Sequence, residues 1–168
     1  IEIREIWASF LESENSFQQL MEILGNNQCV PIVTCNRFEL YVTGEASEKQ
    51  MGIWLRQLAS LVLDIEQKNG HQREKKSGQN SLSGTVTLNT LVDVFIFKQG
   101  KDALRHLLRV CCSLDSMVVG ESQILGQMKT SLEEARNKGM AGKTISSLFS
   151  QSFAVAKRIR RETALGTM

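Results

Sequence analysis

The segment that most constrains the fold lies between residues 29 and 42, where two strand-like stretches flank a polar junction. Residues 29–33 (Cys-Val-Pro-Ile-Val) are apolar, and residues 38–42 (Phe-Glu-Leu-Tyr-Val) alternate between apolar and polar side chains. Short runs of this kind, rich in β-branched and aromatic residues, are typical of strands. The four residues between them, Thr-Cys-Asn-Arg (34–37), therefore predict a sharp turn between two neighbouring strands.

Cys35 stands in this junction, where a cysteine can face a cleft instead of a core. The guanidinium of Arg37, two positions further on, can favour the thiolate, which is the reactive form of cysteine. The alternative is that Cys35 is a small apolar filler, because free cysteine is among the most buried residue types. Position in the sequence alone leaves both interpretations open.

The composition is that of an ordinary globular chain. Its 168 residues, 42% hydrophobic and 23% charged, fit one domain that can bury a core. The net charge of +2 is too small to argue for nucleic-acid binding, so any RNA contact must come from local patches. No apolar run approaches the roughly 20 residues of a membrane helix, and no signal peptide is visible.

The four cysteines predict neither a disulfide framework nor a metal site. They show no C-x-x-C pair and no zinc-type spacing, so we expect no bound metal and reduced thiols, as in a cytoplasmic protein. Cys111 and Cys112 are neighbours in a helical stretch, which favours a packing role for both.

Strands and helices interleave early in the chain, and helices dominate late. Helices are predicted around residues 17–24, from 48 onward after the capping box Ser-Glu-Lys-Gln (47–50), and over 102–112, about 122–138 and 143–162. Residues 68–83 are polar, basic and rich in Gly and Ser, which predicts a mobile surface loop. Residues 91–97 (Leu-Val-Asp-Val-Phe-Ile-Phe) predict a strand. This order indicates an α+β fold extended by a helical half.

Two nucleotide-binding patterns are incomplete in this sequence. Gly142-Lys143-Thr144 is similar to the end of a phosphate-binding P-loop, but Asn137 stands where the first glycine belongs and a helix is predicted upstream, not a strand. A glycine-containing turn between helices is the better interpretation. No G-x-G-x-x-G follows a strand, so no dinucleotide site is visible.

Four blocks, in order along the chain, resemble glutamyl-tRNA reductase. Thr-Cys-Asn-Arg-Phe-Glu-Leu-Tyr (34–41) is similar to the active-site signature of that family. His-Leu-Leu-Arg-Val (106–110), followed by Leu-Asp-Ser-Met-Val-Val-Gly-Glu-Ser-Gln-Ile-Leu-Gly-Gln (114–127), resembles a run usual in the family. Residues 153–163 resemble the helix that leads toward the family's cofactor domain, and Glu-Ile-Arg-Glu (2–5) resembles a segment near its start.

The resemblance implies an α+β fold, namely a ferredoxin-like catalytic domain with additional C-terminal helices. Residues 1–168 would form a single N-terminal catalytic, glutamyl-tRNA-binding domain. Within it, residues 143–168 would be a helix leading toward an NADPH-binding domain absent from this chain.

The implied activity is NADPH-dependent reduction of glutamyl-tRNA(Glu) to glutamate-1-semialdehyde through a cysteine thioester, the first step of five-carbon tetrapyrrole synthesis. This chain would perform the acyl-transfer half of that reaction. The implied partners are glutamyl-tRNA(Glu), a second copy in a homodimer of the full-length protein and, as a possible further partner, glutamate-1-semialdehyde aminomutase, with no membrane involved.

The resemblance also assigns roles to individual residues. Cys35 would attack the glutamyl carbonyl, and His106 would assist proton transfer or shape the pocket. Arg37 would pair with a substrate carboxylate through its planar fork. Ser122 stands where the family commonly has Pro, so the local turn can differ there. The implied substrate-binding residues are Thr34, Cys35, Asn36, Arg37, Ser116, Glu121, Ser122, Gln123 and Gln127.

Two other functions and one surface remain open at this point. The chain could belong to a cysteine-dependent aminoacyl-tRNA hydrolase or acyltransferase, or it could be a non-catalytic tRNA-binding regulatory module. The surface is a basic cluster on the last predicted helix, which could contact tRNA phosphates or simply be a solvated face. Its members are Lys157, Arg158, Arg160 and Arg161.

Overall fold

The described residues form helices and one small antiparallel sheet. A computed structural model describes residues 3–13, 15–34, 36–77, 86–115 and 123–163, without the side chains of 69–77. Its elements are α1 (Ile3–Glu12), α2 (Ser16–Leu24), β1 (Cys29–Thr34), β2 (Arg37–Val42), α3 (Glu48–Ser77), α4 (Leu88–Asp93), α5 (Gly100–Cys111), α6 (Gln123–Asn137) and α7 (Lys143–Glu162). None of the helices in these ranges is long and apolar enough to cross a membrane.

The predicted α+β class is confirmed by this mixture of elements. The sheet formed by the described residues has two strands, β1 and β2, which run antiparallel. The ferredoxin-like arrangement has four strands in a βαββαβ order, whereas the described residues form two. That arrangement therefore stays a prediction.

The chain divides into two compact units, and the prediction of a single domain stays a prediction. The first unit comprises Ile1–Gly25 and Glu45–Phe97, and the second comprises Asn26–Gly44 and Lys98–Met168.

Helices α1 to α4 build the first unit by packing on one another. The core holds Trp7 and Phe10 of α1 together with Leu58 and Val62 of α3, all nearly inaccessible to solvent. Helix α3 begins at the predicted capping box, where the Ser47 hydroxyl accepts a hydrogen bond from the backbone N–H of Gln50 at 3.2 Å.

The β1–β2 hairpin and helices α5 to α7 build the second unit. Val30 and Ile32 of β1 are fully buried, because α6 packs on this strand. Helix α7 packs on α5 and α6 through a buried stripe that includes Phe149 and Phe153, and Phe149 also meets the ring of Tyr41 edge-on at 5.3 Å. The predicted hairpin and the predicted helices of this unit are confirmed.

The strand predicted over residues 91–97 is wrong. Residues 88–93 form α4, and its start is capped by the Thr87 hydroxyl, which accepts a hydrogen bond from the Thr90 N–H at 3.2 Å. Only Leu91 of this helix is buried, whereas Ile96 and Phe97 are exposed. A helix cap and one buried leucine thus outweigh the β-propensity of an apolar run that pairs with neither described strand.

The loop predicted over residues 68–83 is also wrong for its first part, because α3 continues to Ser77. The Gln, Lys, Arg and Glu residues in this part are good helix formers even without an apolar stripe. The segment has no apolar stripe that would indicate packing, but its residues still favour a helix. Residues 78–83 lie outside the described parts of the chain.

The turn between α6 and α7 confirms the interpretation of Gly142-Lys143-Thr144. The preceding residues form helix α6, as predicted, and Gly142 is the N-cap of α7. The side-chain oxygen of Gln28 accepts a hydrogen bond from the Ile145 N–H at 3.0 Å. Gln28 therefore satisfies a backbone donor that helix starts leave unpaired.

We expect Gln28→Ala to lower the free energy of unfolding by about 1 kcal/mol, the usual cost of losing a helix cap. Urea unfolding followed by circular dichroism measures the change. Gln151→Ala, on the exposed face of the same helix, is the control and should change stability by no more than a few tenths of a kcal/mol. Equal losses in the two variants would contradict the capping role.

Candidate active site

The predicted junction is the tight end of the β-hairpin. Thr34 of β1 pairs with Arg37 of β2, so that only residues 35 and 36 separate the strands. The Thr34 side chain is buried, and its hydroxyl accepts a hydrogen bond from the Asn36 N–H at 3.3 Å. Cys35 lies outside the described residues, so its role as nucleophile stays a prediction.

Glu39 is the centre of a polar network on one face of β2. Arg37, Glu39 and Tyr41 alternate along the strand and therefore share a face. Glu39 Oε1 accepts a hydrogen bond from Arg37 Nη1 at 2.9 Å, and Glu39 Oε2 accepts one from the Tyr41 hydroxyl at 2.6 Å. Burial, followed by the charge of Glu39, raises the pKa of Tyr41 well above its usual value, so Tyr41 stays a donor.

His106 of α5 joins this network between two carboxylates. Its Nε2 lies 3.0 Å from Glu39 Oε1, and its Nδ1 lies 3.5 Å from Asp115 Oδ2. Because a carboxylate only accepts, the hydrogen bond at this distance requires the proton on Nε2. The predicted site residues Arg37 and His106 are thus brought together by a shared carboxylate.

Asp115, just after α5, contacts both Arg37 and His106. Its carboxylate oxygen Oδ1 accepts hydrogen bonds from Arg109 Nε at 2.9 Å and from Arg109 Nη2 at 2.6 Å. Its backbone carbonyl accepts one from Arg37 Nη2 at 2.7 Å. The hydrogen bonds from Arg109 hold the pKa of Asp115 below its usual value; burial opposes the shift, and the charges of Arg109, His106 and Arg37 add to it.

Arg37 is held rigidly and still has an unused donor. Its side chain is only 11% exposed, and both terminal nitrogens donate within the chain. The buried Nε has no hydrogen-bond partner among the residues that the structure describes. A guanidinium fixed in this way, with N–H groups to spare, suits the predicted contact with a substrate carboxylate.

The remaining described site residues lie on α6. Gln123 and Gln127 are four positions apart and so lie on the same side of the helix, where Gln123 is exposed. The Gln127 side-chain oxygen is buried without a hydrogen-bond partner in the described part of the chain. Neither glutamine bonds to the network around Glu39. Ser116, Glu121 and Ser122 lie outside the described residues.

The described cysteines are packing residues, as predicted for Cys111 and Cys112. Cys29, Cys111 and Cys112 are buried free thiols. Burial raises the pKa of all three, that of Cys111 to about 12. None of them therefore provides a thiolate near neutral pH. Among the described residues, no group of three or more His, Cys, Asp or Glu side chains could hold a metal ion.

Sequence reasoning missed four residues of the network, although the sequence contained a signal for three of them. Glu39 and Tyr41 follow Arg37 at the two-residue period of a strand face. Arg109 follows His106 by three positions on α5, which places both on one side of the helix. Asp115 carries no such signal, because its position depends on how the chain turns after α5.

We expect Asp115→Asn to lower the free energy of unfolding by about 1 kcal/mol near neutral pH, less than a buried charged hydrogen bond contributes, because Arg109 is half-exposed. The pKa of Asp115 in the folded chain lies below its usual 3.8. Its stabilisation is therefore complete above about pH 5 and is lost as the pH falls through the folded-state pKa.

Urea unfolding of wild type and variant between about pH 7 and pH 2 should show the stability difference shrinking with acidity. Glu133→Gln, an exposed carboxylate-to-amide change on α6, is the control and should show little difference at any pH. A difference for Asp115→Asn that persists at the lowest pH would mean that packing, and not charge, is lost.

Comparisons with known proteins place this site in a family. The sequence model of the family described as "Glutamyl-tRNAGlu reductase, N-terminal domain" matches residues 1–163. The glutamyl-tRNA reductase of Marinobacter nauticus is 35% identical over 99% of this chain and 33% of its own length. The glutamyl-tRNA reductase of Shewanella amazonensis is 34% identical over 84% of this chain and 28% of its own length. That of Idiomarina loihiensis is 33% identical over 99% of this chain and 34% of its own length.

The chain thus spans about a third of the length of the curated relatives that it matches. The family match extends across both compact units and includes the hairpin and the histidine that form the network. From its sequence, its fold and these similarities, the chain belongs to the glutamyl-tRNA reductase family, as the N-terminal domain.

Proposed function

We propose that this chain performs the acyl-transfer half of a glutamyl-tRNA reductase, with Cys35 as the nucleophile. The whole protein would reduce glutamyl-tRNA(Glu) to glutamate-1-semialdehyde for tetrapyrrole synthesis. The single observation that supports this most strongly is the network of Arg37, Glu39 and His106, which begins two residues after Cys35 in a chain of this family.

The proposed step forms a thioester and releases tRNA. The Cys35 thiolate attacks the α-carbonyl carbon of the glutamyl ester, forming a C–S bond. The C–O bond to the terminal ribose breaks, and the ribose oxygen leaves with the electron pair and takes up a proton. The thioester carbonyl is less resonance-stabilised than that of the oxygen ester, which prepares it for reduction.

The network supplies charge and orientation for this step. Arg37 is fixed by Glu39 and by the Asp115 carbonyl, so it can present its remaining N–H groups to a carboxylate of the glutamyl moiety without losing side-chain entropy on binding. A positive guanidinium near the hairpin end also favours the thiolate form of a nearby cysteine. His106, held at Nε2 by Glu39, would shape the pocket or assist proton transfer to the leaving oxygen, as the family motif implies.

The contacts proposed for the remaining substrate-binding residues rest on the family motif. Thr34 and Asn36 flank Cys35, and the unpartnered amide oxygen of Gln127 suits a donor such as the α-ammonium of the glutamyl group. Gln123, Ser116, Glu121 and Ser122 keep their proposed roles from the motif alone.

NADPH would supply the hydride for the second half of the reaction. No G-x-G-x-x-G follows β1 or β2, and we assign no residue of this chain to the cofactor. The homodimer, the aminomutase partner and the cytoplasmic location of the whole protein also stay predictions.

The proposal predicts that the chain, given glutamyl-tRNA(Glu), releases tRNA and retains a glutamyl group on Cys35. Intact-protein mass spectrometry after acid quench, followed by peptide mapping, detects and locates the adduct. Cys35→Ser should abolish it, because a hydroxyl is not ionised near neutral pH. Cys29→Ser is the matched control and should retain the adduct, since the Cys29 thiol is buried and its pKa is raised.

The same experiment separates the other functions. Rapid tRNA release without a trapped adduct, in a full-length protein that needs no NADPH, would favour a hydrolase or acyltransferase. Binding of glutamyl-tRNA without cleavage by either Cys35 or Cys35→Ser protein would favour a regulatory module. An adduct that survives Cys35→Ser would contradict the assignment of the nucleophile.

A further inference from the structure

Helix α5 ends in a Schellman motif that has a serine where glycine is usual. The N–H of Leu114 donates to the carbonyl of Arg109 at 2.9 Å, and the N–H of Ser113 donates to the carbonyl of Val110 at 2.9 Å. These two bonds define the motif, whose turning residue adopts a left-handed conformation. Ser113 has φ 58°, a value that costs free energy for any residue with a Cβ atom.

Arg160 of α7 makes a direct contact with this turning residue. Ser113 is completely buried, so its hydroxyl needs a hydrogen-bond partner. Arg160 Nη2 donates to Ser113 Oγ at 2.7 Å, and the bond is strengthened by the charge of the donor. The bond joins the last described helix to the end of α5 within the second unit.

The position of Arg160 separates it from the basic surface of α7. It continues the buried stripe of that helix, four residues after Ala156 and seven after Phe153, and is itself half-buried. The other members of the predicted basic cluster are exposed: Lys157, Arg158 and Arg161. Arg160 therefore faces the interior of the second unit and has a structural partner there.

The turn at Ser113 determines where Asp115 lies, two residues later. The Asp115 carbonyl accepts from Arg37 Nη2 at 2.7 Å, and its carboxylate contacts His106 Nδ1 at 3.5 Å. If Ser113 relaxed to a right-handed conformation, the chain would leave α5 in another direction and Asp115 would lose both contacts.

We propose that Arg160 is a positioning residue for the candidate active site. By holding the left-handed turn at Ser113, it fixes Asp115, which in turn holds Arg37 and His106. This inference deepens the proposed function and rests on it.

The test is a double-mutant cycle between Arg160→Gln and Ser113→Gly. Glycine accepts the left-handed turn without strain and has no hydroxyl to satisfy, so it removes the need for Arg160. Two properties are measured: the NMR signals of the His106 ring, easily assigned in a chain with two histidines, and the single-turnover rate of tRNA release from glutamyl-tRNA(Glu). Gln151→Ala, an exposed change on the same helix outside the basic cluster, is the control.

Arg160→Gln alone should shift the His106 signals and slow tRNA release about tenfold, the effect of one charge-assisted hydrogen bond. In the Ser113→Gly background the same change should leave the His106 signals in place and alter the rate by less than about twofold. Gln151→Ala should change neither property. Should Arg160→Gln fail to fold, as judged by circular dichroism, Arg160→Lys takes its place in the cycle.

Equal effects of Arg160→Gln in both backgrounds would overturn the proposal, because Arg160 would then act through general stability and not through Ser113. Unchanged His106 signals in the Ser113 background would overturn it as well. If even the wild-type chain releases no tRNA, the proposed function fails, and the His106 signals alone decide whether Arg160 positions the network.

Discussion

The Glu39 carboxylate is the interaction on which the rest of the site depends. It is only 19% exposed and takes hydrogen bonds from Arg37 and Tyr41 and a contact at hydrogen-bond distance from His106. A carboxylate removed from water must be compensated by such partners. Because one partner comes from α5 and two come from β2, the charge of Glu39 fixes the helix and the hairpin to each other.

Two turns support this geometry from outside the network. At the end of β1, the buried Thr34 hydroxyl accepts the N–H of Asn36 and so shapes the junction next to Cys35. At the end of α5, the left-handed Ser113 directs the chain so that the carbonyl of Asp115 reaches Arg37. The candidate site thus lies where two elements end, and the buried stripes of α6 and α7 pack behind it.

The sequence was sufficient for those parts of the fold that depend on local patterns. The hairpin, the helix after Ser47 and the turn at Gly142 each follow from residue type and spacing over a few positions. Helix α4 was missed because its apolar residues resemble a strand, and a single capping threonine together with the burial of Leu91 decides the outcome. The end of α3 was missed because helix propensity acts there without an apolar stripe.

The residues of the candidate site also separate into those that local patterns predict and those that they do not. Glu39 and Tyr41 could be predicted from the alternation that begins at Arg37, since strand neighbours two apart share a face. The contacts of Asp115 and Arg160 could not, because they are made at or just after a left-handed turn at a serine, for which the sequence provides no signal. Residues that act through a carbonyl or through another residue's backbone become visible only once the fold is known.

The central claim is that the charge of Glu39 holds Arg37 and His106 in one geometry. Nitrogen-15 NMR of the Arg37 guanidinium in wild type and Glu39→Gln tests it most directly. In wild type, hydrogen bonds at both terminal nitrogens should slow rotation of the guanidinium and give separate signals for the two. In Glu39→Gln, where one charged acceptor is lost, we expect the two signals to merge and the His106 signals to shift. Separate Arg37 signals and unchanged His106 signals in Glu39→Gln would contradict the account.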